Sequence, residues 1–313
     1  MRGAILWVTD ERGFNLAEHS VAVALLTQRA TPCLIFCVGF EPPASTNLAL
    51  AARRLGVSVE YRPLKKRETT EKLHRGKGAH KHVSSAATLK MDAVWSLKGE
   101  FDRALYVDSD VLLMEDFGLE AVDFEGFALA AVYDLGKVGE LGDDTGFHSR
   151  CEENGLSPHY FNAGVLATDL AALSEKHVEA YQKALIDHFN RCGYNPTCSC
   201  NDQCAWNMTF EGAWKRLPLS HNFQACAMFN KGWQQAKARH YVGSAKFIPL
   251  RKWRNDRRDT ALIREAQILL GLSPAKKAGL GIVRYLNVLR NSAARRNAGR
   301  AVARVEEMRK AAI

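Results

Sequence analysis

The chain has 313 residues, 47% hydrophobic and 25% charged, a composition that excludes a disordered or fibrous protein and supports one large α/β domain or two ordinary ones. No window approaches 18 uninterrupted apolar residues, and the N-terminal MRGAILWVTDERG meets charge too early for a secretory signal, so the expectation is a cytoplasmic protein without a spanning helix. The formal charge of +9 is uneven: from Pro274 onward ten Lys or Arg face two acidic residues, while the basic stretch from Pro63 to His82 lacks aromatic interleaving and any nucleic-acid motif, so no nucleic-acid partner is expected.

In chain order, AILWVTD (4–10) is an apolar run with a polar end, and FNLAEHSVAVALLTQ (14–28) has apolar residues at helical spacing, which together predict a first β-α unit. CLIFCVGF (33–40) and VSVEY (57–61) predict two buried strands, separated by a helix over TNLALAARRLG (46–56) that stops at Gly56. SSAATLKMDAVWSL (84–97) resumes helical spacing and leads into ALYVDSDVLL (104–113), read as one strand. FALAAVYD (127–134) and YFNAGVLATD (160–169) predict further strands, AALSEKHVEAYQKALIDHFNR (171–191) a long helix and DQCAWNMTFEG (202–212) a shorter one. The polar, aperiodic segment from Leu135 to Pro158 predicts a loop over the site. Strands alternating with helices imply a mostly parallel sheet that binds ligands at the carboxyl ends of its strands.

The strand over 104–113 carries the chemistry. On a strand, Asp108 and Asp110 project to one face, with Val107, Ser109 and Val111 on the other. Two carboxylates in one small space need a positive partner. Downstream, RHYVGSAKF supplies His240 as an imidazole ligand, Gly243 for close backbone approach and Lys246 as a cation. Two carboxylates and one imidazole suit an intermediate divalent cation such as Mn2+, or Mg2+, bridging the protein to a nucleotide diphosphate. Four cysteines, Cys192, Cys198, Cys200 and Cys204, crowd together at a spacing that fits either a cysteine-rich loop or a zinc site outside the common patterns.

The ordered set VTDERGF, LYVDSDVLL, YFNAGVL, NDQ and HYVGSAK, spread over about residues 4 to 254, resembles family 8 of the retaining glycosyltransferases, which includes glycogenin and bacterial lipopolysaccharide galactosyl- and glucosyltransferases. The resemblance implies one nucleotide-sugar-binding domain of the Rossmann-like GT-A fold over residues 1–254, followed by a basic helical extension over 255–313. By that similarity Thr9, Asp10 and Phe14 border the uracil and ribose, and Asp108, Asp110 and His240 hold the metal, with Ser109 between the two carboxylates. Lys90 contacts the donor, and Gly243 with Lys246 grips the pyrophosphate. Asp134, Asn162, Ala163, Gly164, Asp202 and Gln203 lie against the donor sugar. The chain departs from the family at Phe247, where many relatives have Pro-Trp, at Phe14, where Tyr is frequent, and at Cys204, where the lipopolysaccharide enzymes tend to have Asp.

The activity so implied is transfer of a hexose from UDP-glucose or UDP-galactose to a hydroxyl of a glycan or glycolipid, as in lipopolysaccharide biosynthesis, with retention at the anomeric carbon. Retention admits a covalent intermediate, for which Asp202 is a better nucleophile than Gln203, or attack on the same face; same-face attack is favoured here. Self-glucosylation at Tyr181 or Tyr194, as in glycogenin, is the nearest alternative; a non-catalytic sugar-nucleotide-binding protein is another. In the C-terminal stretch Ile282, Val283, Leu286 and Leu289 can form an apolar stripe beside basic residues, which fits a core-packing helix or one lying on an anionic membrane surface as a peripheral attachment.

Overall fold

The computed structural model of the chain describes residues 1–28, 31–42, 46–65, 86–138, 147, 149, 151, 156–190, 202–243, 246–250, 255–274 and 292–311. It opens with β1 (Gly3–Thr9), all seven residues of which are buried, and α1 (Phe14–Thr27), which turns Ala17 and the run from His19 to Leu25 inward. Such a run of buried Val and Leu contributes roughly 1.5–3 kcal/mol per large side chain. β2 (Cys33–Val38) is equally apolar and buried. α2 (Asn47–Leu55) begins at Thr46, whose hydroxyl accepts from Ala49 N, and ends at Gly56 in the left-handed conformation (φ 68°), the stop that the sequence predicts. β3 (Val59–Leu64) forms the sheet edge. It is followed by α3 (Lys90–Trp95) and β4 (Arg103–Val107).

Here the structure corrects the sequence reading. Residues 104–113 are not one strand: β4 ends at Val107, the chain turns through Asp108, Ser109 and Asp110, and β5 (Val111–Leu113) belongs to another sheet. Val111 N donates to Asp108 O at 3.0 Å across this turn. The two carboxylates therefore share a space through a turn rather than through strand alternation.

Beyond it come β6 (Leu129–Tyr133), β7 (Phe161–Asp169), α4 (Glu175–Asn190), α5 (Asp202–Thr209), β8 (Lys215–Arg216), β9 (Phe223–Gln224) and β10 (Ala238–His240). Seven strands form the main sheet in the order β3-β2-β1-β4-β7-β6-β8. Pairing is parallel from β3 to β4, whereas β7 lies antiparallel to both β4 and β6. The second sheet, β5-β10-β9, sets His240 opposite Val111 and hence beside Asp110. The segment read as a loop over 135–158 is a turn at 135–138 and helical at Phe147, Ser149 and Cys151, with Phe147 and Cys151 buried.

The C-terminal residues close on this body. α6 (Arg257–Leu269) starts with a reciprocal cap between Asp256 and Asp259 and packs on α1 and α2, burying Ile263 and Ala266. α7 (Ser292–Ala311) buries Ala298, Ala301 and Val305, a stripe at helical spacing, and meets the turn at 225–227. The stripe expected at Ile282, Val283, Leu286 and Leu289 lies outside the described residues, as does most of the basic stretch from Pro63 to His82. Among the described residues no helix is long and apolar enough to cross a membrane.

Candidate active site

A cavity of about 280 Å³ opens where β1 and β4 end, lined among others by Thr9, Asp10, Lys90, Asp108, Asp110 and Lys246. Its position follows from the topology: β4 is the strand at which the sheet changes from parallel to antiparallel neighbours, so the chain leaving it has room to turn.

One wall is charged. Asp108, Asp110 and His240 each offer a ligand atom, all within 4.8 Å of one another. His240 Nε2 lies 3.2 Å from Asp110 Oδ1 and 3.9 Å from Asp108 Oδ2. Nδ1 of the same ring faces Asn222 Oδ1 at 3.2 Å. An oxygen acceptor there calls for a proton on Nδ1, so Nε2 is the nitrogen that would turn its lone pair to a cation, the tautomer a metal ligand needs. Gly164 makes the approach possible: a Cβ there would overlap the imidazole, coming within 2.7 Å of Nδ1 and 2.9 Å of Asp108 Oδ2. Donor set, tautomer and clearance all fit a divalent cation.

The wall carries its own cations. Lys90, only 4% exposed at the start of α3, contacts Asp108 Oδ1 and Asp202 Oδ2, both at 2.9 Å, and donates to Ala163 O at 3.2 Å. Burial alone would lower its pKa, but Asp108 and Asp202 more than offset that and hold it above the ordinary lysine value. Asp202 is pushed up by burial, with Lys90 opposing and Asp108 adding to the shift. Lys246 bonds Asp110 Oδ2 directly. Burial would raise the Asp110 carboxyl, yet His240 and Lys246 together hold it below the usual carboxylate range. Tyr106 donates its hydroxyl to Asp108 Oδ1 at 2.5 Å.

A second wall, set behind the residues that line the cavity, is a chain of amides. Asp134 Oδ2 accepts from Asn162 Nδ2 (3.0 Å) and Gln203 Nε2 (2.9 Å). Gln203 Oε1 accepts from Ala163 N at 3.1 Å. Asn162 Oδ1 accepts from Gly164 N and from Asn222 Nδ2, both at 3.0 Å. Asn222 is therefore the joint between the amide wall and His240. Every amide orientation is fixed by its neighbour, so the partly exposed Gln203 is held at a set position beside the cavity, as recognition of a hydroxyl-rich ligand requires.

Of the residues singled out in the sequence, Asp108, Ser109, Asp110, Lys90, Asp202, Lys246, Thr9 and Asp10 line the one cavity, and Asp134, Asn162, Ala163, Gly164 and Gln203 adjoin it through the bonds above. Phe14 lies elsewhere: its ring meets Phe40 and Tyr61 at 5.2 and 6.0 Å between centroids, and it lines a neighbouring cavity with Glu18 and Asn47. Gly243 adopts φ 82°, which favours glycine, and is exposed. Cys204 is buried with its Sγ 3.2 Å from Tyr160 OH, while Cys192, Cys198 and Cys200 lie outside the described residues. Tyr181 is 1% exposed, which withholds its hydroxyl from transfer chemistry; Tyr194 is outside the described residues. Sequence reasoning missed Asn222 and Tyr106. Tyr106 was legible, since it shares β4 with Asp108 two residues away, but Asn222 stands in a stretch without period or motif.

The model of the family described as glycosyl transferase family 8 matches residues 20–248. Among solved structures the chain is similar to the galactosyltransferase LgtC in complex with donor and acceptor sugar analogs, at 17% identity and a TM-score of 0.61 over 87% of this chain and 97% of that one. It is also similar to an active-site mutant of LgtC, at 16% and 0.63 over 85% and 95%. The apo form of the glycosyltransferase GlyE from Streptococcus pneumoniae is another, at 16% and 0.55 over 87% of this chain and 62% of that one. At such low identity it is the TM-scores that show a common fold, the GT-A fold. No curated protein matches the chain by sequence.

Proposed function

Because the chain belongs to glycosyl transferase family 8, we propose that it moves a hexose from a UDP-sugar to a hydroxyl of a glycan or glycolipid with retention at the anomeric carbon. The observation that carries this reading is the meeting of Asp108, Asp110 and His240 with a wall of oriented amides around one cavity. A charged wall suits a diphosphate and an amide wall suits a sugar, so the two belong side by side in a site for a nucleotide sugar.

Asp108, Asp110 and His240 would hold Mn2+ or Mg2+, which when bound supplies Lewis-acid stabilisation of the departing diphosphate. Lys246, already drawn to Asp110, supplies a second positive charge on the same side, where leaving-group charge develops. Lys90 holds Asp108 and the buried Asp202 in place through its two contacts of 2.9 Å. Asp134, Asn162 and Gln203 orient the hexose by hydrogen bonds. Gln203 has both ends of its amide engaged, by Ala163 N and by Asp134, and Asp202 is tied to Lys90, so neither is free to attack carbon. Same-face attack, with a diphosphate oxygen taking the acceptor proton, is the mechanism this arrangement favours. Over the described part of α7 an anionic surface would meet basic side chains, since Ala298, Ala301 and Val305 are buried in the protein.

The test is a screen of UDP-hexoses with Mn2+ by ligand-induced thermal shift, followed by a transfer assay on glycan acceptors with product stereochemistry read by NMR. Stabilisation by one UDP-hexose and an α-configured product are expected. No shift with any nucleotide sugar overturns the reading.

A further inference from the structure

His240 stands on a three-residue strand, too short to fix an imbedded ligand by its own ladder. Its immediate neighbours, Arg239 on the strand and Tyr241 just past its end, are fully buried, and both turn their side chains to α6. Both end on one carboxylate. Asp259 Oδ1 accepts from Arg239 Nη1 at 2.7 Å, and Asp259 Oδ2 accepts from Tyr241 OH at 2.6 Å. Asp259 is itself fully buried and is pinned by the cap of α6, where Asp259 N donates to Asp256 Oδ1 (3.0 Å) and Asp256 N donates to Asp259 Oδ2 (3.2 Å). Arg239 also reaches Asp256 Oδ2 at 2.8 Å and lies over the Trp233 ring, 5.3 Å from its centroid. Asn255, next in line, donates to Phe247 O at 3.2 Å, which ties the residue after Lys246 to the same cap.

We propose that Asp259 is a positioning residue for the cation site: by bridging Arg239 and Tyr241 from behind, it fixes the strand that aims His240 at Asp108 and Asp110. The inference rests on the functional reading above and deepens it. It draws into the site a helix that lies beyond the family match, which ends at residue 248. A buried carboxylate holding residues on either side of a ligand acts on the metal as an outer partner does, by removing the orientations in which Nε2 misses the ion. The capping role alone would not need Arg239 and Tyr241; a cap needs only the reciprocal Asp256 and Asp259 bonds.

The experiment measures Mn2+ affinity of the full chain, with and without UDP, from the free-ion EPR signal. Tyr241→Phe removes one hydroxyl, and Asp259→Asn removes the charge while retaining shape. Ile263→Val, on the same helix and facing the core, is the control for a loosened α6. Both Tyr241→Phe and Asp259→Asn are expected to weaken Mn2+ binding about tenfold, the low end for loss of an outer partner, while Ile263→Val lowers the melting temperature and leaves affinity unchanged. If Asp259→Asn does not fold, Tyr241→Phe decides. Unchanged Mn2+ affinity in folded Tyr241→Phe, or an equal loss in Ile263→Val, overturns the proposal with the functional reading intact. A wild-type chain that binds neither Mn2+ nor UDP overturns the functional reading itself.

Discussion

The charged wall of the cavity and the amide wall set behind it hold their polar groups by different means. On the charged wall Asp108, Asp110 and Asp202 crowd against Lys90, Lys246 and His240, and the groups are held by attraction between opposite charges. On the amide wall Asn162, Gln203 and Asn222 are neutral and are held around the single carboxylate of Asp134 by directional bonds of 2.9–3.0 Å. A wall balanced by charge responds to any ion that enters and is suited to a ligand that brings charge. A wall balanced by geometry is indifferent to ions and suited to reading where hydroxyls point.

The sharpest way to break this contrast is to remove one charge from the first wall. Asp110→Asn should lower transfer by roughly a thousandfold or more and abolish the response to added Mn2+, with a native circular dichroism spectrum. Retained activity in excess chelator would erase the distinction. A smaller loss is expected on the second wall. Asp134→Asn turns an amide donor toward the Asn162 and Gln203 donors, so kcat/KM for the donor should fall roughly a hundredfold while Mn2+ affinity, read by EPR, stays at the wild-type value. Equal loss of metal binding in this variant would mean that the walls are not separable.

Lys246→Met sharpens the comparison within the charged wall. Lys246 bonds the carboxylate that the cation also needs, so its removal should raise Mn2+ affinity without nucleotide by roughly tenfold, and lower kcat/KM by roughly tenfold because the diphosphate loses a charge-assisted contact. The two effects have opposite signs, which a residue of the amide wall cannot produce.

Acid separates the walls by pH window. His221, beside Asn222, is driven down to about 4 by burial and by Lys237 nearby, against 6.5 in an exposed histidine. Below pH 6.5 the unfolded chain takes up a proton that the native one refuses, so stability falls as pH drops from 6.5 to 4, by about 2–3 kcal/mol, and nothing is lost above 6.5. Asp110, held below the carboxylate range once burial is offset by His240 and Lys246, contributes stability that is lost only below about pH 4, where the unfolded carboxylate begins to protonate first. Thermal melts between pH 7 and 4.5 should show the first slope, and His221→Gln should flatten it. A slope unchanged in that variant would place the acid sensitivity elsewhere.

The contrast also decides what could be read from sequence. The charged wall announces itself, because Asp-x-Asp at the end of an apolar run and a His with a Lys six residues later are residue types whose burial demands a reason. The end of α2 was legible for an equally local reason, Gly56 as a stop. The turn that splits 104–113 was not, because it is forced by β10 pairing with β5 from more than a hundred residues away. Nor were Asn222 and Asp259: an amide in an aperiodic stretch and an acid in a helix cap look alike whether or not they hold a site together, and only the tertiary pairing tells them apart.

One strand joins both walls. β7 runs antiparallel between β4 and β6, and at its start Gly164 O accepts from Asp108 N at 2.8 Å while Gly164 N donates to Asn162 Oδ1. The spacing between the two walls is thus ruled off along three consecutive residues of a single backbone. Such a ruler cannot be stretched by loop changes elsewhere, and a one-residue slip would turn every side chain on β7 to the wrong face. On the proposed function, altering the preferred sugar would therefore be a matter of exchanging side chains along a fixed scale, and a longer or shorter donor would have to be accommodated from the acceptor side.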